Sequence, residues 1–189
     1  MAFWTEVVAG TKDPKRQFRF TLQVTGMGGD DMLWFVKKIG KPSLTISETP
    51  HKYLNHTFYY PGKVEWNTVT ATLVDPAGPD VAASVSDLLK LSGYSPPGTP
   101  SVTSTISKGK SVGSLGDVII TQIDGNGRMV EKWILRHAWI KDIKYGELDY
   151  DGEDMTMIDL EFRYDWATLE TDVGSSVSGN NRFFGLSGA

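Results

Sequence analysis

From Ile158 to Trp166 apolar and charged side chains alternate without a break, with Ile158, Leu160, Phe162, Tyr164 and Trp166 on one side and Asp159, Glu161, Arg163 and Asp165 on the other. Successive side chains of a strand point to opposite faces, so the run reads as a β-strand with one face covered by protein and one face wet. Phe18, Phe20, Leu22 and Val24 alternate in the same way with Arg19, Thr21, Gln23 and Thr25. Strong strands near both ends predict one β-rich body, and 189 residues suffice for a single well-cored domain. Six Trp, seven Tyr and eight Phe supply the bulky surface that such a body must cover.

Charge and composition exclude several classes. A formal net charge of −4 disfavours a protein that works by neutralising phosphates. Without cysteine there is neither a disulfide framework nor a thiolate metal site. The first ten residues contain Glu6 and lack a basic start and an apolar run, so no secretory signal is expected, and no segment approaches the roughly 20 apolar residues of a membrane-spanning helix. The expectation is a soluble protein used without export.

Along the chain, residues 16–25 read as the first strand, followed by a turn at Gly26, Gly28, Gly29, Asp30 and Asp31. Residues 32–39 and 44–47 read as two more strands, separated at Gly40 and Pro42. Tyr53, Phe58, Tyr59 and Tyr60 then lie between Pro50 and a Pro61-Gly62 turn, which fits an extended arm or hairpin. Residues 64–74 read as one strand whose parity slips, with a bulge expected near Asn67. Val81, Val85, Leu88 and Leu89 recur at helical spacing, with Asp80 to cap the start and Gly93 to end it, giving one predicted helix. Residues 92–116 are rich in Ser, Thr, Pro and Gly and read as a long loop. Residues 118–123, the Asp124 to Gly127 turn and residues 129–143 read as strand, turn and strand, with residues 155–166 as the closing strand. The expected core contains Phe18, Phe20, Trp66, Ile158, Leu160, Phe162 and Trp166.

The chemical motifs are weak. Gly109-Lys110-Ser111 resembles the end of a phosphate-binding loop, but Ser104 stands where that motif needs glycine. Gly26-Met27-Gly28 fails as a dinucleotide fingerprint because Asp31 takes the third glycine's place. His51, His56 and His137 are the only imidazoles, and the first two, five apart, would point to opposite faces of one strand. Glu147, Asp149, Asp151, Glu153 and Asp154 form the densest acidic cluster, with Gly152 at the wrong offset for an EF-hand. Asp159 and Glu161 share an exposed strand face rather than a pocket that would separate their pKa values. Neither catalysis nor a cofactor or metal is expected.

Taken together the residues resemble the tail tube protein of contractile-tailed bacteriophages of the T4-like kind. The resemblance runs from Pro14-Lys15-Arg16-Gln17-Phe18 through Lys41-Pro42-Ser43-Leu44, Tyr53 to His56, Tyr60-Pro61-Gly62-Lys63 and Trp66 to Val74. It continues with residues 118–127, Lys132-Trp133-Ile134-Leu135, Ala138-Trp139-Ile140, Gly146 to Tyr150 and the alternating strand ending at Tyr164-Asp165-Trp166. It covers roughly residues 14–170, departs at the loop 92–116 and after Glu170, and rests on many loose positions. It divides the chain into a leader (1–13), a tail tube-like domain (14–170) and a flexible tail (171–189).

The resemblance implies a mainly β fold, an antiparallel barrel or sandwich with one flanking helix, and a structural virion protein rather than an enzyme. Six copies would form a ring, and stacked rings a hollow tube that is assembled in the host cytoplasm. A sheath would surround the tube, a baseplate carry it, a tape-measure protein fill it during assembly, and double-stranded DNA pass through without specific binding. Paired sheet edges would then be the assembly bond. The expected subunit-interface residues are Tyr53, Leu54, Phe58, Tyr59 and Tyr60. Lumen candidates are Asp149, Asp159, Glu161 and Asp165, whose like charge would keep DNA from sticking. A baseplate tube initiator or a type VI secretion-like tube protein is the alternative. A carbohydrate-binding sandwich using Trp4, Trp34, Trp133 or Trp139 is more remote.

Overall fold

The computed structural model describes residues 14–27, 35–78, 80–97 and 104–171. Its strands are β1 (Phe20–Val24), β2 (Val36–Ile39), β3 (Leu44–Tyr53), β4 (His56–Trp66), β5 (Val69–Val74), β6 (Val118–Ile123), β7 (Met129–Arg136), β8 (Trp139–Lys144), β9 (Met157–Arg163) and β10 (Trp166–Thr171). Two helices, α1 (Val81–Leu91) and α2 (Lys108–Leu115), interrupt them. One antiparallel sheet has the order β1-β6-β7-β10, a second β2-β5-β9-β8, and β3-β4 stands apart as a hairpin. The fold is mainly β, as the alternation predicted.

The core lies between the two four-stranded sheets. Leu22 and Val24 meet Val118, Ile120, Leu135 and Ala167 from the first sheet and Val69, Ala71, Leu73, Ile158, Leu160 and Phe162 from the second. Ile158 and Phe162 are wholly buried, and burying each such side chain stabilises by roughly 1.5–3 kcal/mol. Trp66 and Tyr164 close the same core, their rings 5.9 Å apart.

The long alternating runs of the sequence turn out to be two strands each. The run at 155–166 breaks at Tyr164-Asp165, where β9 leaves the second sheet and β10 enters the first. Residues 129–143 break in the same way at His137-Ala138, with His137 at φ 54°. Since β8 pairs with β9 and β7 with β10, the two runs form one bent ribbon shared by both sheets, and the Asp165 amide donates to the Arg136 carbonyl at the bend (3.0 Å). The bend shifts parity. Ala167 therefore points inward and is wholly buried, while Trp166, expected in the core, is half-buried and packs against it, its ring edge-on to His137 at 4.8 Å. Likewise the expected bulge near Asn67 is a break, since β4 belongs to the hairpin and β5 to the second sheet.

Phe18 also departs from expectation. Its ring is 74% exposed, because the ladder with β6 starts only at Phe20. Phe20 itself is half-buried.

Within the expected loop 92–116 lies a second helix. Ser107 caps α2 by accepting from the Lys110 amide, and Gly116 ends it at φ 68°. Only Ser111 and Leu115 of α2 are buried, a stripe too narrow to read as helical periodicity. What fixes it is contact. The 3-10 turn Thr25–Met27 packs backbone to backbone against its end, and a Cβ at Gly26 would collide with the Ser114 and Leu115 carbonyls. α1 is the predicted helix, with Asp80 accepting from the Ala83 amide and Val81, Val85 and Leu88 buried. Leader residues 1–13, tail residues 172–189, Trp4 and Trp34 lie outside the described residues.

Candidate subunit interface

The β3-β4 hairpin is a two-stranded blade with almost no core of its own. Its root is fixed: Trp66 is buried, the Asn67 amide donates to the Ser43 carbonyl (2.9 Å), and Arg163 reaches Glu65 (3.1 Å). Beyond the root, Tyr53, Leu54, Phe58, Tyr59 and Tyr60 are all exposed, with Leu54 at 88%. An isolated two-stranded ribbon with this much bare apolar surface needs a partner to be stable along its length.

Register sorts the blade into two faces. Tyr53 opposes His56, His51 opposes Phe58 and Thr49 opposes Tyr60, so these six side chains share one face. His51 and His56 thus lie on the same face rather than on opposite ones, because they stand on opposite strands of a hairpin. The His56 and Phe58 rings meet edge-on at 4.6 Å. Pro50, Lys52, Thr57 and Tyr59 occupy the other face. Leu54 and Asn55 form the tip, Leu54 at φ 48°, whereas the expected Pro61-Gly62 turn sits inside β4 where the register shifts opposite Ser47 and Glu48.

The four lumen candidates are not gathered at one place. Asp159 and Glu161 share the outer face of the second sheet, where Thr72 donates to Asp159 (2.6 Å) and Lys141 to Glu161 (2.8 Å). That Lys141 contact holds the Glu161 carboxyl below its ordinary range. Asp149 lies in the connection after β8 and, with Asp159, lines a cleft of about 680 Å3. Asp165 sits at the bend, bound by Lys108 of α2 (2.7 Å) and His137 (3.0 Å); the lysine lowers its pKa, burial opposes it, and the histidine lowers it further.

One polar cluster went unnoticed in the sequence. Glu131, buried on the inward side of β7, accepts from Lys15, from Lys41 (2.8 Å) and from the Trp133 indole (2.5 Å). Lys41 also donates to Gln122 (2.7 Å), whose amide in turn donates to the Arg16 carbonyl (3.1 Å). Burial alone would raise the Glu131 pKa, but Lys15, Lys41 and Trp133 outweigh it and bring it down to about 2. The available signal was its place in register with Trp133 and Leu135, a carboxylate at an inward position.

A second cleft, of about 500 Å3, lies at the hairpin root between Trp66, Trp139, Arg163, Asp165 and Lys108. Its charged groups are already paired with one another, Arg163 with Glu65 and Lys108 with Asp165. Among the described residues no group of three or more His, Asp or Glu is placed to hold a metal ion, and no helix is long and apolar enough to cross a membrane.

No family model and no curated protein matches the sequence. Solved structures do. A chain of the PVC sheath/tube terminator, from an extracellular contractile injection system in the extended state, superposes with a TM-score of 0.62 at 13% identity, over 86% of this chain and 100% of that one. A chain of the sheath-tube complex of the same system gives 0.60 at 15% identity, over 85% and 94%. The fold is that of contractile-system tube assemblies. A chain of the anti-feeding prophage baseplate, solved with 6-fold symmetry, gives 0.58 at 14% identity, over 83% and 95%. The shared fold thus spans most of this chain.

Proposed function

We propose that this chain is the repeating structural subunit of the inner tube of a contractile tail. Six copies form a ring, and rings stack into a hollow conduit within a virion, inside a sheath and on a baseplate. A tape-measure protein occupies the channel during assembly and double-stranded DNA passes through it later. The observation that carries the proposal is the hairpin: a rigidly rooted blade whose apolar side chains, Tyr53, Leu54, Phe58, Tyr59 and Tyr60, are all uncovered in the single chain. Self-association supplies the cover. The likeness to tube, terminator and baseplate assemblies supports the same reading, and supports a structural role over an enzymatic one.

Strands β1 and β10 bound the first sheet, and β2 and β8 the second, so each has one neighbour among the described residues. Pairing of such borders between copies joins six small sheets into one wall. The outer face of the second sheet, with Asp159 and Glu161, is the proposed channel lining. Glu161 and Asp165 are already matched by lysines, so the repulsion met by passing DNA comes mainly from Asp159, which accepts from Thr72.

Negative-stain electron microscopy of the purified chain tests this. Long hollow tubes are expected. Single rings without stacking place the chain at an end of the tube, as initiator or terminator, and monomers at high concentration refute the proposal.

A further inference from the structure

The hairpin carries an apolar, slightly basic surface, and the cleft at 145–157 carries its complement. Leu148 and Tyr150 project from that cleft at 91% and 109% exposure, and Met155 is also bare. Around them residues 145–156 hold five carboxylates and no lysine or arginine, one more negative charge than the net −4 of the whole chain. The remainder of the chain is therefore close to neutral, and this rim is its densest run of carboxylates. The hairpin between Glu48 and Lys63 bears one carboxylate against Lys52 and Lys63, with His51 and His56 beside the aromatic rings.

Position is the second argument. The hairpin root adjoins the Val69 end of β5, which pairs with Phe162, while the cleft adjoins the other end, where Val74 pairs with Met157. Six residues of strand separate the two, about 17–20 Å. In the single chain both surfaces stay exposed, so the hairpin does not cover its own cleft. Complementary surfaces at opposite ends of one rigid sheet form a heterologous contact, which joins copies head to tail, as a closed ring or an open stack according to the rotation between them.

We propose that the cleft lined by Gly146, Leu148, Asp149, Tyr150, Asp154 and Met155 is the receptor for the β3-β4 hairpin of a second copy of this chain. This rests on the chain being a self-assembling subunit and adds which surface meets which. Tyr53, Leu54 and Phe58 enter against Leu148, Tyr150 and Met155, while Lys52 and Lys63 face the carboxylates. The apolar contact supplies affinity, and the charge sets which end of the neighbour is accepted.

The chain has no cysteine, which makes a cross-linking test clean. A chain with both Leu54→Cys and Leu148→Cys, assembled and treated with a short bismaleimide, is expected to give a covalent ladder of multimers, and each single substitution no more than dimers. A second set reverses charge at exposed positions: Glu147→Lys, Asp149→Lys and Glu153→Lys together should raise the assembly concentration at least about tenfold. Adding Lys52→Glu and Lys63→Glu should restore much of it. Absence of the ladder from tubes that form normally, or a cleft-reversed chain that stacks as well as the parent, overturns this contact while leaving the tube subunit reading intact. A parent chain that stays monomeric at low salt overturns both.

Discussion

Replacing Glu131 by Gln keeps the shape of the side chain and removes the charge that gathers Lys15, Lys41 and the Trp133 indole. The carboxyl is held at about 2 against an ordinary 4.5. At about 1.4 kcal/mol per pH unit this corresponds to roughly 3 kcal/mol. Both lysines are about half exposed, so solvent screening reduces the contribution to about 2 kcal/mol. The sign follows from the direction of the shift. Above pH 4.5 Glu131 is ionised in both folded and unfolded chain, and its full contribution is present. As pH falls below 4.5 the unfolded chain takes up the proton first, and the contribution is lost progressively until the folded carboxyl protonates near pH 2. Calorimetry of the parent and Glu131→Gln chains should therefore show a melting difference of about 4–8 °C at pH 7, given about 2–4 °C per kcal/mol for a chain of this length. That difference should shrink to roughly a quarter of its neutral value by about pH 2.5. The other carboxylates act on both chains alike and cancel in the comparison. A difference that stays constant from pH 7 to 2.5 would refute an ionic role for the cluster.

Phe162→Ala should cost about 3–5 kcal/mol, because the ring is wholly buried between the sheets; an unchanged denaturant midpoint would place it elsewhere. Gly26→Ala should lower the melting temperature despite adding only a methyl group, since that group meets the carbonyls at the end of α2, and a stabilised variant would contradict the packing. Deleting residues 52–60 should leave a folded monomer with a near-parental melting temperature and no tubes in negative stain, as the deleted residues are exposed with the one exception of the half-buried Thr57. Asp165→Asn should speed amide exchange in α2 by freeing Lys108, an effect that hydrogen-exchange mass spectrometry over residues 108–115 would detect.

Strand content was legible because burial acts on every second residue: Leu22, Val24, Ile158, Leu160 and Phe162 read as inward and lie inward. The bends were not, because a strand that changes sheet keeps its alternation on both sides of the break. At Tyr164-Asp165 the only trace is that Ala167, not Trp166, takes the next inward place. α2 was hidden by its own composition, two glycines and two serines in eight residues, since its place is set by contact with Gly26 rather than by a broad apolar stripe. The hairpin was legible as an arm from its aromatic residues, but its tip was not, since Leu54 adopts a positive φ that sequence rules reserve for Gly or Asn. Glu131 escaped because an inward carboxylate gains its meaning only from Lys15 and Lys41, which lie 116 and 90 residues away.

The core and the two surfaces proposed to meet between copies draw on different residues of this chain. The core cluster draws on both sheets, α1, the end of α2 and the hairpin's root at Trp66, and on no residue from Thr45 to Glu65 or from Tyr145 to Met157. Those two excluded segments are the blade and the acidic rim. A surface that contributes nothing to the core is free to be apolar or strongly charged without penalty to folding, provided a partner covers it soon after synthesis. The same separation explains why the charge is concentrated. Carboxylates on the sheets are matched locally, Glu161 by Lys141 and Glu170 by Lys132, whereas the five on the rim have no lysine or arginine among them and act where that rim meets a neighbour. Uncovered blades would otherwise pair with one another. The acidic rim offers them a preferred partner of opposite charge, so the fold favours head-to-tail order over indiscriminate aggregation.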